Sequence, residues 1–182
     1  MDHVINRACY FYEYQNTHRC LIKNESIPYC DSPCKFFEVV SASPIFLNRM
    51  DMLYRNAKQI PPENGYTDIV MHSTALYFVN KNADGEEYNI SPEEFAQIIK
   101  MMYKDNPIPN IRLIACYSGC LEDGVAQILS DILRVTVKAP IGPVVVDFFG
   151  NMYVEDKVNN KELYDDLGWR IFTPRKGNID GE

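Results

Sequence analysis

The chain has 182 residues, the length of one domain or of one domain with a small extension. Its hydrophobic fraction of 46% and aromatic fraction of 12% are enough for a packed core, which disfavours a disordered chain. The net charge is −7 without a basic stripe, so nucleic acid is not an expected partner. No apolar run reaches the roughly 18–20 residues that a membrane-spanning helix needs.

The first part of the chain differs in composition from the rest. We expect residues 1–58 to form an aromatic, cysteine-rich N-terminal extension and residues 59–182 to form the main domain. Short aromatic runs at 8–12 and 36–40 are candidate strands or loops, and the Pro-Pro pair and glycine within 58–65 predict a connection. The N-terminus lacks the basic start and apolar stretch of a signal peptide.

Four of the six cysteines lie in this extension, at Cys9, Cys20, Cys30 and Cys34. A structural zinc site takes four ligands, often in close pairs, and Cys30 with Cys34 is such a pair. His18 is a candidate substitute ligand. Two disulfides, or four thiols packed in a core, fit the same spacing, so three alternatives stay open.

The main domain alternates strands and helices. Residues 67–72 and 111–116 are short apolar runs typical of buried parallel strands. Between them, Ser91, Pro92 and Glu94 form a predicted capping box, and apolar residues at helical spacing follow it. Further along the chain we predict a helix over 121–133, a strand over 137–139, a hairpin over 144–154 and a last strand over 169–172. Consecutive βαβ units predict an α/β fold with a parallel sheet at its centre.

Two residues able to do chemistry follow the two apolar runs. His72 and Cys116 lie where neighbouring strands end, which is the edge of an α/β sheet where ligands bind. Cys116 is the candidate nucleophile and His72 the candidate acid and base. Cys120 is expected to pack at a helix start, with a disulfide to Cys116 as the alternative. Asp68 lies too far along the same strand to orient His72, and the sequence identifies no orienting group.

These motifs resemble the caspase-like cysteine peptidases (clan CD), and in particular the self-cleaving cysteine protease domains of large bacterial toxins. The blocks at 111–116, 124–133, 137–139, 144–154 and 168–169 occur in the same order as in those domains. Cys116-Tyr117-Ser118-Gly119 and the later Val-Lys-Ala-Pro strand also resemble modules at the C-terminus of polymorphic bacterial toxins. The resemblance covers about residues 66–174. The family places Gly after the His, where this chain has Ser73.

The resemblance implies a three-layer caspase-like sandwich with a mostly parallel central sheet. It also implies a cysteine endopeptidase whose oxyanion and substrate contacts come from Ser73, Ser118 and Gly119 beside the backbone of Cys116 and His72. The setting it implies is a secreted or delivered bacterial effector or toxin module that acts in a target cell cytosol. Its partners would be a protein or peptide substrate and an immunity protein.

The resemblance also bears on cofactors. The chemistry requires none, whereas inositol hexakisphosphate activates the toxin domains from a pocket lined by Lys and Arg. Basic residues are scattered through the second half of this chain, among acidic neighbours: Lys138, Lys157, Lys161, Arg170, Arg175 and Lys176.

Two other functions fit the same residues. A deamidase or transglutaminase-like toxin would use the same Cys116–His72 dyad on side-chain amides, because peptide and side-chain amides need the same nucleophile. A non-catalytic binding module, such as an immunity or adaptor protein, would keep the fold without the chemistry.

Overall fold

The computed structural model describes residues 19–20, 25–26, 45–47, 51–81, 86–104 and 106–175. The three α-helices in these residues are α1 (Met52–Ala57), α2 (Pro92–Met102) and α3 (Val125–Leu133), and Asp165–Gly168 form a short 3-10 helix. The strands are β1 (Arg19–Cys20), β2 (Glu25–Ser26), β3 (Thr67–Val70), β4 (His72–Ser73), β5 (Phe78–Lys81), β6 (Glu87–Ile90), β7 (Ile111–Ile114), β8 (Val137–Pro140), β9 (Val144–Val146), β10 (Met152–Asp156), β11 (Lys161–Leu163) and β12 (Trp169–Phe172).

A four-stranded sheet in the order β12-β8-β7-β3 forms the centre of the fold. β3 pairs with β7 and β7 pairs with β8 in parallel, while the last strand, β12, joins antiparallel to β8. The remaining strands form separate antiparallel sheets. The predicted mixed α/β class with a mostly parallel central sheet is therefore confirmed. In the described part of the chain, no helix is long and apolar enough to cross a membrane.

Helices α2 and α3 pack together over one face of the central sheet. Ser91 caps α2 through the predicted capping box, since its hydroxyl accepts from Glu94 N–H and Glu94 reaches back to Ser91 N–H. Alternate strand residues, including Ile69, Leu113 and Ala115, are buried in the core beneath these helices. Burial of these residues and of the apolar faces of α2 and α3 stabilises this side of the sheet.

The predicted start of the second long helix is wrong by one turn. α3 begins at Val125, whereas Leu121 is 44% exposed and lies in the turn before it. Gly124 is the N-cap, and the segment ahead of it is held by backbone hydrogen bonds from Ser118, Cys120 and Gly124 to carbonyls three residues earlier. Leu121 is four residues before Val125, as in a helix, but it lies in these tight turns and is not part of α3.

Helix α1 and the β11-β10-β9 sheet lie on the opposite side, where they share a second core with Val70 and Ile114. β9 and β10 form the predicted hairpin, and Val144 and Val146 of β9 pack in this core. Ile45 bridges Val70 in parallel, so residues 45–47 and α1 pack on the main domain although they precede residue 58. The predicted division at that residue stays a prediction.

Other expectations fall on residues outside the described ranges. These are the aromatic runs at 8–12 and 36–40, and the side chains of Cys9, Cys20, Cys30 and Cys34.

Candidate active site

The register of the central sheet places His72 and Cys116 at equivalent positions. Val70 is paired with Ile114 across the parallel β3–β7 ladder, and His72 and Cys116 each lie two residues further on. Met71 N–H donates to Ile114 O at 3.2 Å, which continues the pairing by one residue. Adjacent strands are about 4.8 Å apart, so the two backbones lie side by side where the strands end.

Both side chains lie on the side of the sheet that α1 covers. Cys116 packs against the same core as Val70 and Ile114, and the side chain of His72 contacts Asp51 at the start of α1. This placement follows from the two-residue period of a strand, because His72 continues the face of Val70 and Cys116 that of Ile114. The structure therefore brings the predicted dyad to one edge and one face.

Asp51 uses both oxygens of its carboxylate at this site. Its Oδ1 accepts from Leu53 N–H at 2.9 Å and so caps α1, while its Oδ2 lies 2.6 Å from Nε2 of His72. A carboxylate only accepts, so Nε2–H is the donor and Nδ1 is the ring nitrogen left for proton exchange. The sequence analysis did not identify Asp51. The only sequence signal for it is that an aspartate, a common N-cap residue, precedes a short apolar segment.

The thiol of Cys116 is mostly buried. Burial raises the pKa of this thiol, and the nearby negative charge of Glu155 adds to the shift. The sulfur lies 3.9 Å from the carbonyl oxygen of Val144 in β9. In the substrate-free protein at neutral pH, Cys116 is therefore a protonated thiol that has to lose its proton before or during attack on a carbonyl.

Ser118 and Gly119, two predicted contacts for substrate, are buried in the turn after Cys116. The Ser118 hydroxyl donates to Ala115 O at 2.7 Å, and Gly119 N–H donates to Pro140 O at 2.9 Å. A Cβ at Gly119 would lie 2.5 Å from the carbonyl oxygen of Ala139, so this position allows only glycine to approach β8. Both residues therefore support the turn after Cys116, and their contact with substrate stays a prediction.

The backbone N–H of Cys116 is a candidate oxyanion donor. The C=O and N–H of a trans peptide point in opposite directions, and Ala115 O points to Ser118. The Cys116 N–H consequently points away from that turn. Within the described part of the chain, and apart from the pairing inside the strands, this N–H donates no hydrogen bond to a backbone carbonyl.

The N–H of Ser73 is the second candidate donor. Thr74 N–H donates to Tyr77 O at 2.9 Å, which makes that pair hydrogen-bonded in the β4–β5 hairpin. Because bonded and non-bonded pairs alternate along antiparallel strands, Ser73 opposite Phe78 is a non-bonded pair. Its N–H therefore points away from β5, toward the strand edge that Cys116 occupies.

The described residues contain no group of three or more His, Cys, Asp or Glu side chains placed to hold a metal ion. Cys116 and Cys120 are both free thiols. Within the described ranges, most of the candidate basic residues lie against acidic or carbonyl partners. Lys138 pairs with Glu63 and Asp166, Lys157 with Glu155, Arg175 with Asp123 and Asp131, and Arg170 donates to Cys120 O.

Comparison with known proteins gives a family and no named relative. No curated protein matches the chain. A family model described as a domain of unknown function (DUF8616) matches residues 42–154, which is more than half of the chain and includes Asp51, His72 and Cys116. The chain therefore belongs to the DUF8616 family.

Proposed function

We propose that this protein is a cysteine endopeptidase in which Cys116 is the nucleophile and His72 the acid and base. The observation that carries the proposal is the placement of both residues two positions beyond paired residues of β3 and β7, with Asp51 behind the imidazole. A nucleophile, a base and a group that orients the base form an arrangement typical of acyl transfer by a thiol.

The geometry supports a definite sequence of proton transfers. The thiol proton passes to Nδ1 of His72 as the sulfur of Cys116 attacks the peptide carbonyl, and the C–N bond then breaks as His72 protonates the leaving amine. Water, deprotonated by the same imidazole, attacks the thioester and releases the acid and the free thiol. Asp51 holds the His72 ring in the tautomer with the proton on Nε2 and stabilises the imidazolium that forms during the reaction.

Negative charge on the substrate oxygen needs donors in both acyl-transfer steps. The N–H groups of Cys116 and Ser73 are the proposed donors, and each such donor contributes about 10²-fold or more to the rate in enzymes of this kind. Because the thiol is neutral before substrate binds, attack and proton transfer are coupled, and the two side chains need not form an ion pair beforehand.

The same proposal includes a caspase-like three-layer arrangement. Its support is a mostly parallel sheet with α2 and α3 on one face and with α1 and the β9–β10 hairpin on the other. The order of the sequence blocks supports a bacterial effector or toxin module that cleaves itself, its carrier or a target protein.

The test is a mass-spectrometric assay of a proteome-derived peptide mixture with the wild type and Cys116→Ala. New termini that form with the wild type and are missing with the variant would support the proposal. A unit mass gain on intact peptides, dependent on Cys116, would replace it with a deamidase. Equal inactivity of both proteins toward peptides and toward the chain itself would contradict the peptidase. Cys120→Ala, which removes the neighbouring free thiol, is the matched control.

A further inference from the structure

The peptide bond between Cys116 and Tyr117 is held from both sides. The Ser73 hydroxyl donates to the Cys116 carbonyl oxygen at 2.6 Å, and Tyr117 N–H donates to Gly142 O at 2.9 Å. The C=O and N–H of one peptide point in opposite directions, so these two bonds fix the orientation of a single plane. One bond comes from the strand end that carries His72, and the other from the chain between β8 and β9.

Tyr117 is in the left-handed region, with φ of 61°. A side chain with a Cβ costs about 1–2 kcal/mol there relative to a right-handed conformation. Such a conformation persists only where surrounding contacts over-determine it. The two hydrogen bonds to the Cys116–Tyr117 peptide, from the Ser73 hydroxyl and to Gly142 O, are contacts of this kind and together form what we call the clamp. They prevent rotation of the peptide plane, which is the movement that would let Tyr117 relax.

We propose that Ser73 is a positioning residue that holds the Cys116–Tyr117 peptide and thereby sets where the Cys116 sulfur lies relative to His72. The inference rests on the proposed function and assigns the Ser73 side chain, as distinct from its backbone N–H, a role through Cys116 rather than through substrate. Its hydroxyl is already engaged by a carbonyl, and the residue is only 9% exposed, so the side chain is not available to a ligand.

The clamp joins the two halves of the dyad directly. Ser73 follows His72 in β4, so one hydrogen bond ties the backbone of the base to the backbone of the nucleophile. A displacement of about 1 Å between reacting groups lowers rates by about 10²-fold. Loss of this bond should therefore affect the chemical step more than substrate binding.

The first experiment compares Ser73→Ala, Ser73→Thr and Ser130→Ala. Ser130 is the matched control, since it is a fully buried serine whose hydroxyl donates to Val135 O at 2.8 Å, near the end of α3 and away from the dyad. We expect Ser73→Ala to lower kcat about tenfold to a hundredfold with KM within about twofold. Ser73→Thr keeps the hydroxyl and should recover most of the rate, and Ser130→Ala should retain it.

The second readout does not depend on peptidase activity. Release of the peptide should expose the Cys116 sulfur, so iodoacetamide should modify Cys116 about threefold faster or more in Ser73→Ala than in the wild type or Ser130→Ala. Site-resolved mass spectrometry measures this even if no peptide is cleaved, and so separates failure of the clamp from failure of the proposed function. Unchanged alkylation in Ser73→Ala would overturn the inference.

A variant at the strained residue tests the mechanism of the clamp. Glycine adopts φ of 61° without the penalty of a Cβ, so Tyr117→Gly should lessen the need for Ser73. The fold-change that Ser73→Ala causes in alkylation should be smaller in the Tyr117→Gly background than in the wild type. Equal fold-changes in the two backgrounds would contradict a role through the conformation of Tyr117.

Discussion

At the scale of single residues, the carboxylate of Asp51 joins the start of a helix to the imidazole of the candidate base. One oxygen caps α1 and the other contacts Nε2 of His72. The side chains of His72 and Asp51 are partly exposed, at 39% and 23%, so the contact persists next to solvent. The orientation of the base therefore depends on where α1 begins.

Asp51→Asn separates these two roles. Asparagine caps helices as well as aspartate does, so the free energy of unfolding should change by less than about 1 kcal/mol. The asparagine has no charged oxygen to accept from Nε2–H of His72, and its NH₂ group favours the tautomer in which Nε2 is unprotonated. We therefore expect kcat to fall by about 10²-fold or more. Peptide-hydrolysis kinetics and urea denaturation of the same samples measure the two effects. A variant that keeps full activity would contradict the orienting role.

The burial of Cys116 predicts the pH dependence of its reactivity. A raised pKa leaves little thiolate at neutral pH, so the alkylation rate should increase by about tenfold per pH unit from about pH 7 to about pH 9 without a plateau. Timed iodoacetamide labelling resolved at the Cys116 peptide measures this rate. A rate that levels off by about pH 9 would show a thiol with an ordinary or lowered pKa and would contradict the effect of burial.

Part of the site could be predicted from the sequence and part could not. His72 and Cys116 follow apolar runs that are easy to recognise as buried strands, and neighbouring parallel strands must end at the same edge. Asp51 was missed because α1 has only six residues and no periodic signal, and because capping aspartates are common at helix starts. The roles of Ser118 and Gly119 depend on the turn geometry, which residue types alone do not specify.

At the scale of elements, the β9–β10 hairpin holds α1 in place. Asn56 in α1 donates from Nδ2 to Val146 O at 2.8 Å, and the hairpin turn packs against the end of the helix at Gly150. A Cβ at Gly150, which has φ of 85°, would lie 2.1 Å from the carbonyl oxygen of Gln59. This close approach requires glycine for both conformation and space.

Gly150→Ala should therefore be more destabilising than Gly65→Ala. Gly65 has a similar φ of 83° with no atom within 4 Å of the position that a Cβ would take, so its substitution costs only the backbone strain of about 1–2 kcal/mol. Gly150→Ala adds a steric clash worth about 1–3 kcal/mol. Chemical denaturation of both variants measures the difference in unfolding free energy, and equal losses would mean that the turn does not pack on α1.

The elements themselves were predicted with uneven success, for physical reasons. The capping box of Ser91 and Glu94 is a local signal that the structure realises directly, so α2 was predicted well. The predicted start of α3 was wrong because Leu121 has the same spacing as the apolar residues of the helix, although it lies in the tight turns before it. Periodicity detects which residues share a face and does not detect where the backbone hydrogen bonds change pattern.

At the scale of the whole molecule, a row of charged side chains crosses the parallel strands inside the fold. Asp68, Arg112 and Lys138 are paired in register across β3, β7 and β8, and all three are buried. Arg112 contacts both oxygens of Asp68 and also Glu63, which in turn contacts Lys138. Every buried charge in the row has a partner, as burial requires.

Removal of one partner should destabilise the entire domain. Arg112→Met leaves Asp68, which is 2% exposed, without its guanidinium and should cost about 3–5 kcal/mol of unfolding free energy. The same substitution at Arg175, whose side chain is 55% exposed, should cost less than about 1 kcal/mol. Denaturant titration of both variants tests the contrast, and similar small losses would contradict a structural role for the row. The double variant Asp68→Leu/Arg112→Met should recover much of the loss.

The most direct test of the proposed dyad is peptide hydrolysis in heavy-oxygen water, followed by mass spectrometry of the products. The wild type and Cys120→Ala should place one heavy oxygen in the new C-terminal carboxylate of each fragment. Cys116→Ala should give no products, and His72→Ala should give them at a rate lower by about 10²-fold or more. Cleavage by Cys116→Ala at the wild-type rate, or an intact peptide mixture after incubation with every protein, would contradict the claim that Cys116 and His72 hydrolyse peptide bonds.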